Sequence, residues 1–326
     1  MKTIEVGTAV SDKPGRVRGR LDIGALPDGT PVEIPVEIVR GAGDGPVLWL
    51  HGCVHGNEYC GTYIIHELMR RLTPETLRGT VVALPVLNLT AFLKNQRMSP
   101  YEQFGGGDLN RCFPGRADGP VTEQMAYAIY TPLKKYATHL VDFHTAFTPD
   151  TRWALFSAPG GEVSEKAETM ARAFGYRDTL PAPPDLLVGS AMTTAARDGI
   201  PTLIVEAGGI GPAFEISTVE DAAGRLQNVM RALGMLDGEV TKYGPFNYFT
   251  NFAWCCATKA GLFESTVKCG DTVTKGQTIG HYFDLFGIRT GEATAPQSGV
   301  VLAIHPGALM ARGETLIHIG LNPREA

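Results

Sequence analysis

The sequence predicts an α/β fold, a mixed and largely parallel sheet with helices on both faces, plus a small all-β C-terminal domain. Three observations carry this reading. Short apolar runs alternate with amphipathic helical stretches as far as about residue 205; the helical patterning stops after about residue 238; and the last segment repeats itself. The corresponding domains are residues 1–240 and 241–326.

Val47–Leu50 (VLWL), Val81–Leu84 (VVAL), Leu140–Phe143 (LVDF) and Thr202–Val205 (TLIV) read as buried strands, rich in β-branched and large apolar residues. Glu58–Leu72, Thr122–Tyr136 and Ser164–Phe174 lie between them, and Ser217–Leu233 follows, each with apolar residues at helical spacing. In the first of these Ile64, Leu68 and Leu72 share a face, and Arg70 and Arg71 lie off it. Strands separated by helices require crossover connections, hence a largely parallel or mixed sheet covered on both sides. Ahead of them, Arg16–Ile23 and Pro31–Arg40 alternate with a period of two and predict an antiparallel edge pair.

Beyond residue 238, VKCGDTVTKGQTI (Val267–Ile279) matches IHPGALMARGETL (Ile304–Leu316) at an offset of 37, with glycines aligned at 270/307 and 276/313 and Thr278 over Thr315. Two such β-units predict a small sandwich with pseudo-twofold symmetry. The pattern, with APQSGVV (Ala295–Val301) in its second half, resembles biotinyl/lipoyl carrier domains. Those domains attach their cofactor to a lysine at a hairpin tip, whereas His281–Thr294 contains no lysine and Lys275 is the last in the chain. The resemblance is therefore to a degenerate carrier that keeps the fold alone.

Composition narrows the function classes. Apolar residues at 44% and charged residues at 19% suit an ordinary globular protein, and a net charge of −5 argues against a nucleic-acid surface. No apolar run is long enough for a transmembrane helix, and MKTIEVGTAVSDKPGRV lacks the apolar region of a signal peptide. The expected location is the cytoplasm, without membrane partners; a homo-oligomer is compatible with the composition. The six cysteines contain no CxxC pair and read as small buried or half-buried hydrophobes, Cys53 and Cys60 included although they flank the segment discussed next.

That segment is LHGCVHGNEYCG (Leu50–Gly61). His55 and Glu58 stand three apart, after an apolar strand and at the start of a helix, where open α/β folds place their sites. Gly56 between them permits a tight backbone turn. Two histidines and a glutamate are a common catalytic zinc set, with two ligands from one short segment and the third from far along the chain. His144, ending the strand in LVDFHTAF, is the expected third ligand. Asp142 shares its strand face and is placed behind the metal to orient an imidazole, with His55 as the assigned partner. An HxxE spacing alone is common; its conjunction with a distant strand-end DxH is not. His51 reads as structural, His66 and His139 as helix-face and strand-start residues, and His281, His305 and His318 receive no role.

These segments, in this order, resemble the succinylglutamate desuccinylase/aspartoacylase family, relatives of the zinc carboxypeptidases. HGNE at 55–58 is similar to the family's first metal motif, DLNRCFPG at 108–115 to its DLNRxFPG motif, DFH at 142–144 to its Asp-x-His motif, and VEAGG at 205–209 to the segment with the catalytic glutamate. The carrier-like tail resembles the N-acyl amino-acid deacetylase branch. The resemblance implies one zinc ion per chain, Glu206 as general base and acid, and Arg97 in NQRMSP as the carbonyl-polarising cation. It further implies Asn110 and Arg111 as the pair that binds the substrate's α-carboxylate, a task suited to a planar guanidinium. Asn88 is held as auxiliary, Arg116 as solvated, and Asp108 as ordering a loop that Gly105–Gly107 and Phe104 make adaptable.

The implied activity is hydrolysis of a small-molecule N-acyl amino acid to a carboxylic acid and a free amino acid. Carboxypeptidase-type cleavage of short peptides is the alternative, because both reactions hydrolyse an amide near a carboxylate. A non-catalytic scaffold would predict loss of a ligand or of the base, and all are present.

Overall fold

The computed structural model describes residues 2–102, 107–305 and 309–326. Phe104, Gly105 and Gly106 of the expected adaptable loop, and Gly307 of the repeat, lie outside the described residues. A hairpin of β1 (Ile4–Val6) and β2 (Ala9–Ser11) precedes β3 (Gly15–Ala25) and β4 (Pro31–Arg40). Then come β5 (Gly43–His51), α1 (Tyr59–Arg71), β6 (Arg78–Leu84), α2 (Leu89–Phe92), a 3-10 turn at Leu109–Arg111, α3 (Val121–Tyr136) and β7 (His139–His144). They are followed by β8 (Arg152–Ser157), α4 (Gly161–Phe174), β9 (Asp178–Ala182), α5 (Ala191–Arg197), β10 (Thr202–Ala207), α6 (Ile216–Ala232) and β11 (Asn247–Tyr248). The remaining elements are strands: β12 (Asn251–Cys256), β13 (Gly261–Ser265), β14 (Thr272–Val273), β15 (Thr278–Phe283), β16 (Arg289–Thr294), β17 (Gly299–Ile304), β18 (Leu309–Met310), β19 (Thr315–Leu321) and β20 (Arg324–Glu325).

One ten-stranded sheet runs β20-β11-β9-β8-β10-β7-β5-β6-β4-β3. Its centre, β6-β5-β7-β10, is parallel, while β3 and β4 form the antiparallel edge that their period-two pattern predicts. β8 and β9 extend the sheet beyond the strands expected from the sequence, β8 antiparallel to β10 and parallel to β9. Side chains alternate across the sheet. Leu48, Leu50, Val141, Phe143, Leu203 and Val205 face α1, α4 and α6, whereas Trp49 and Leu140 face α3 and α5. His144 and Glu206 continue the second set, so both point away from the α1 side.

The β-rich region is two four-stranded antiparallel sheets, β12-β19-β17-β14 and β16-β15-β13-β18. The repeat appears as a strand exchange: the first copy supplies β14 and β15, the second β18 and β19, and each short strand sits in the sheet holding the other copy's long strand. Gly276 and Gly313 take matching left-handed turns at φ +85° and +93°. Leu316, Ile317, Ile319 and Val301 fill the space between the sheets. The outer face of the first sheet packs on the large sheet, with Val300 and Leu302 against Trp153, Leu155 and Ile204. The chain enters this region from β11 and leaves it into β20, both on the large sheet.

Two helical glycines test these packing relations. A Cβ on Gly61 of α1 would lie 2.4 Å from the Cβ of Phe143, whereas on Gly224 of α6 it would meet only an Arg71 nitrogen at 3.8 Å. Helix propensity favours alanine at both by up to about 1 kcal/mol, but overpacking costs about 1–3 kcal/mol. Gly61→Ala is therefore expected to lower the melting temperature and Gly224→Ala to raise it slightly; thermal denaturation of both variants checks the pair.

Candidate metal and catalytic site

The strand ends place the chemistry. β5 delivers the chain into the loop carrying His55, and Glu58 is the residue before α1, its amide bonded to the His55 carbonyl at 3.1 Å. Gly56 is required here by close approach rather than by a left-handed turn: a Cβ would stand 2.2 Å from the backbone of Ala91 and Phe92. His144 ends β7, and Glu206 on β10 is its register partner, so the two side chains emerge as neighbours on one face.

Glu58 is gripped on every side. His55 Nδ1 lies 2.8 Å from Oε1, His144 Nδ1 2.9 Å from Oε2, and the two Nδ1 atoms are 3.3 Å apart. The Thr145 amide donates to Oε2 at 3.3 Å, and Arg97 Nη1 donates to Oε1 at 2.9 Å. Burial pushes the Glu58 carboxyl up, but His55 and His144 outweigh it and hold it well below the usual range. Burial likewise works against charging His144, and Asp142 with Glu58 raises its pKa well above the ordinary value.

Each imidazole has a carboxylate at its far nitrogen. Asp142 Oδ2 lies 3.2 Å from His144 Nε2, and Asp108 Oδ1 lies 3.1 Å from His55 Nε2. This corrects the sequence assignment of Asp142 to His55: two residues apart on β7, Asp142 and His144 share a strand face, and His55 is served from another loop. Asp108 also orders its own turn by accepting from the Asn110 amide at 2.9 Å. With Nε2 of each ring turned to a carboxylate, both Nδ1 atoms are left for a cation.

His55, Glu58 and His144 are buried, and their ligand atoms lie within 4.8 Å of one another, a group able to hold a metal ion. Ligands about 2.1 Å from a tetrahedral zinc stand about 3.4 Å apart, close to the spacing of the two Nδ1 atoms. Cys53 and Cys60 stay outside the cradle; burial pushes both thiols up to about 12, and Cys53 Sγ contacts the Glu58 carbonyl and Thr62 Oγ1.

The group opens into a cavity of about 220 Å³ whose lining includes Arg97, Asn110, Arg111 and Glu206. Burial pushes Glu206 up to about 7, with His144 acting against it. Asn110 Oδ1 accepts from the Ala191 amide at 3.4 Å, and Arg111 Nη1 donates to the Asn110 carbonyl at 2.7 Å. Asn88 is not among the lining residues; its side chain caps α2 through the Ala91 amide. Arg116 is exposed and pairs with Glu123 at 2.8 Å. A larger groove of about 1010 Å³ runs past Arg16, Arg18 and Glu37 on the edge strands, remote from this group. Sequence reading missed Asp108 as the partner of His55, and it missed Phe147, Trp153, Phe252, Trp254 and His318 on the cavity wall. The last three come from β12 and β19, and nothing local marks them.

The succinylglutamate desuccinylase/aspartoacylase catalytic domain matches residues 44–233. The chain belongs to the succinylglutamate desuccinylase/aspartoacylase family. It is 30% identical over 297 residues to the N-α-acetyl-L-2,4-diaminobutyric acid deacetylase of Halomonas elongata, covering 87% of this chain and 84% of that protein. A succinylglutamate desuccinylase/aspartoacylase from Rhodobacter sphaeroides superposes with a TM-score of 0.81 at 27% identity, over 96% of this chain and 97% of that one. The product-bound ectoine utilization protein EutE (DoeB) from Ruegeria pomeroyi does so at 0.82 and 26%, over 95% and 97%. In this family, no helix among the described residues is long and apolar enough to cross a membrane.

Carboxylates behind ligating histidines typically contribute 10–100-fold to metal affinity. Asp108→Asn and Asp142→Asn are each expected to weaken metal binding by about that factor, read by chelator competition; unchanged affinity in both would remove them from the site.

Proposed function

We propose that the chain is a zinc-dependent amidohydrolase that removes the acyl group, an acetyl group in the simplest case, from a small N-acyl amino acid. The observation that carries this reading is the register of β10 on β7, which sets Glu206 beside His144 at the cavity. The relatedness to a deacetylase of an acetylated amino acid supports the substrate class.

In this reading residues 1–240 carry the chemistry and residues 241–326 complete the wall. His55, Glu58 and His144 would hold the ion. Zinc bound there would supply a Lewis acid that acidifies water and polarises the scissile carbonyl. Glu206 takes the proton from the attacking water and passes it to the amine nitrogen as the C–N bond breaks. Arg97 provides a fixed cation for the oxyanion that develops on the carbonyl oxygen. Arg111 and Asn110 hold the α-carboxylate; with its oxygen committed to the Ala191 amide, the Asn110 side chain offers its N–H groups.

Cavity size bears on the alternative. About 220 Å³ is below the usual ~300–1,000 Å³ of small-molecule pockets, which favours a short acyl amino acid over a peptide.

Turnover of an N-acyl amino-acid panel by the zinc-loaded protein is the direct test, with release of the acyl acid as the expected product. Glu206→Gln should lower kcat by about 10²–10⁴-fold while zinc content stays the same; wild-type turnover would sink the assigned base. Because the base acts deprotonated, kcat/KM should fall as pH drops through the Glu206 pKa. Burial raises that pKa, and a bound cation lowers it again, so the midpoint is expected between the ordinary 4.5 and about 7. A profile flat across that window would contradict the role.

A further inference from the structure

His318 belongs to none of the machinery above, yet it stands on the wall of the same cavity. It is 6% exposed, and neither ring nitrogen has a hydrogen-bond partner. Its place follows from β19: Ile317 and Ile319 point between the two β-sheets, so His318 points outward onto the large sheet's side. Around it stand Trp254, its cross-strand partner, with ring centroids 3.7 Å apart, Phe147 at 5.5 Å and Phe252 at 6.1 Å. The rest of that outer face docks through apolar groups such as Val300 and Leu302. A buried polar group without a partner costs free energy that an apolar side chain would avoid, so its nitrogens are free for something that enters the cavity.

The surroundings define that group. Burial, with Arg97 nearby, holds the His318 pKa down to about 3, so the ring is uncharged and offers an acceptor nitrogen. Aromatic faces attract donors and cations and disfavour anions. The lining cations are Arg97, on Glu58 at 2.9 Å, and Arg111, assigned above to the α-carboxylate. The unpartnered indole N–H of Trp153 adds one neutral donor, too little to offset burial of a second carboxylate.

We propose that His318 is a specificity-determining residue that accepts a hydrogen bond from a donor group of the substrate outside the scissile amide, and that the site thereby selects N-acyl amino acids bearing such a donor over those with a second carboxylate. The inference rests on the deacylase reading. The donor can sit on the amino-acid side chain or on the acyl chain, and the test separates the two.

N-acetylglutamine, N-acetylglutamate and N-acetylmethionine are nearly isosteric and present a donor, an anion and an apolar end; N-glycolylalanine and N-propionylalanine make the same comparison on the acyl side. The zinc-loaded wild type should favour the donor-bearing member of at least one series by about tenfold in kcat/KM. His318→Phe, which keeps the aromatic packing, should abolish that preference chiefly through KM and leave the apolar member within about twofold; His318→Gln should restore part of it. Equal losses for donor-bearing and apolar members, no change in preference, or a wild type that takes glutamate as well as glutamine would overturn the proposal. Calorimetric binding of the same compounds, on a Glu206→Gln background with and without His318→Phe, decides on His318 even if nothing is turned over. Absence of wild-type turnover would count against the deacylase reading alone.

Discussion

The site is organised around one buried carboxylate. Glu58 receives two imidazoles, a guanidinium and a backbone amide within 3.3 Å, in a place that water does not reach. An unpaired charge there would be prohibitive, so the elements that carry these donors are fixed relative to one another. The N-terminus of α1, the loop after β5, the end of β7 and the segment bearing Arg97 all converge on it. Asp108 and Asp142 extend the same logic outward, because each imidazole that approaches Glu58 is held from behind by a second carboxylate. A cation held by the same three residues would sit between opposing charges whose geometry is already set.

Strand register supplies the second constraint. A one-residue slip of β10 on β7 would turn Glu206 toward α1 and α6 and bring Val205 to the cavity. The slip is resisted by Leu203 and Val205, which are fully buried on the opposite face. Packing of an ordinary core thus holds the proposed base beside His144, and no residue of the site has to do so. The β-rich region then uses a face of its own sandwich, Val300 and Leu302 for docking and Trp254 and His318 for lining, so that its fold shapes the cavity.

Much of this was legible in the chain. The apolar runs at Val47–Leu50, Leu140–Phe143 and Thr202–Val205 lie within β5, β7 and β10, and the helical spacing of Ile64, Leu68 and Leu72 marks the buried face of α1. β8 and β9 were not read from the sequence, although RWALFS carries an apolar run. The glycine-spaced repeat foretold the paired sheets because a β-unit that cannot bury its face alone must find a copy. The His55, Glu58, His144 group was legible because strand ends and short spacings are local facts.

What the sequence determined by itself is therefore local: which segments are strands or helices, which side chains leave the sheet at its carboxyl ends, and the family to which the order of motifs points. What tertiary structure decided depends on which loop lies behind which side chain. Asp108 rather than Asp142 backs His55, because the 3-10 turn folds over the loop after β5, and that separation of 53 residues leaves no periodic trace. Trp254 and His318 reach the cavity because one sandwich docks by its outer face, a choice made by matching apolar surfaces across the whole chain.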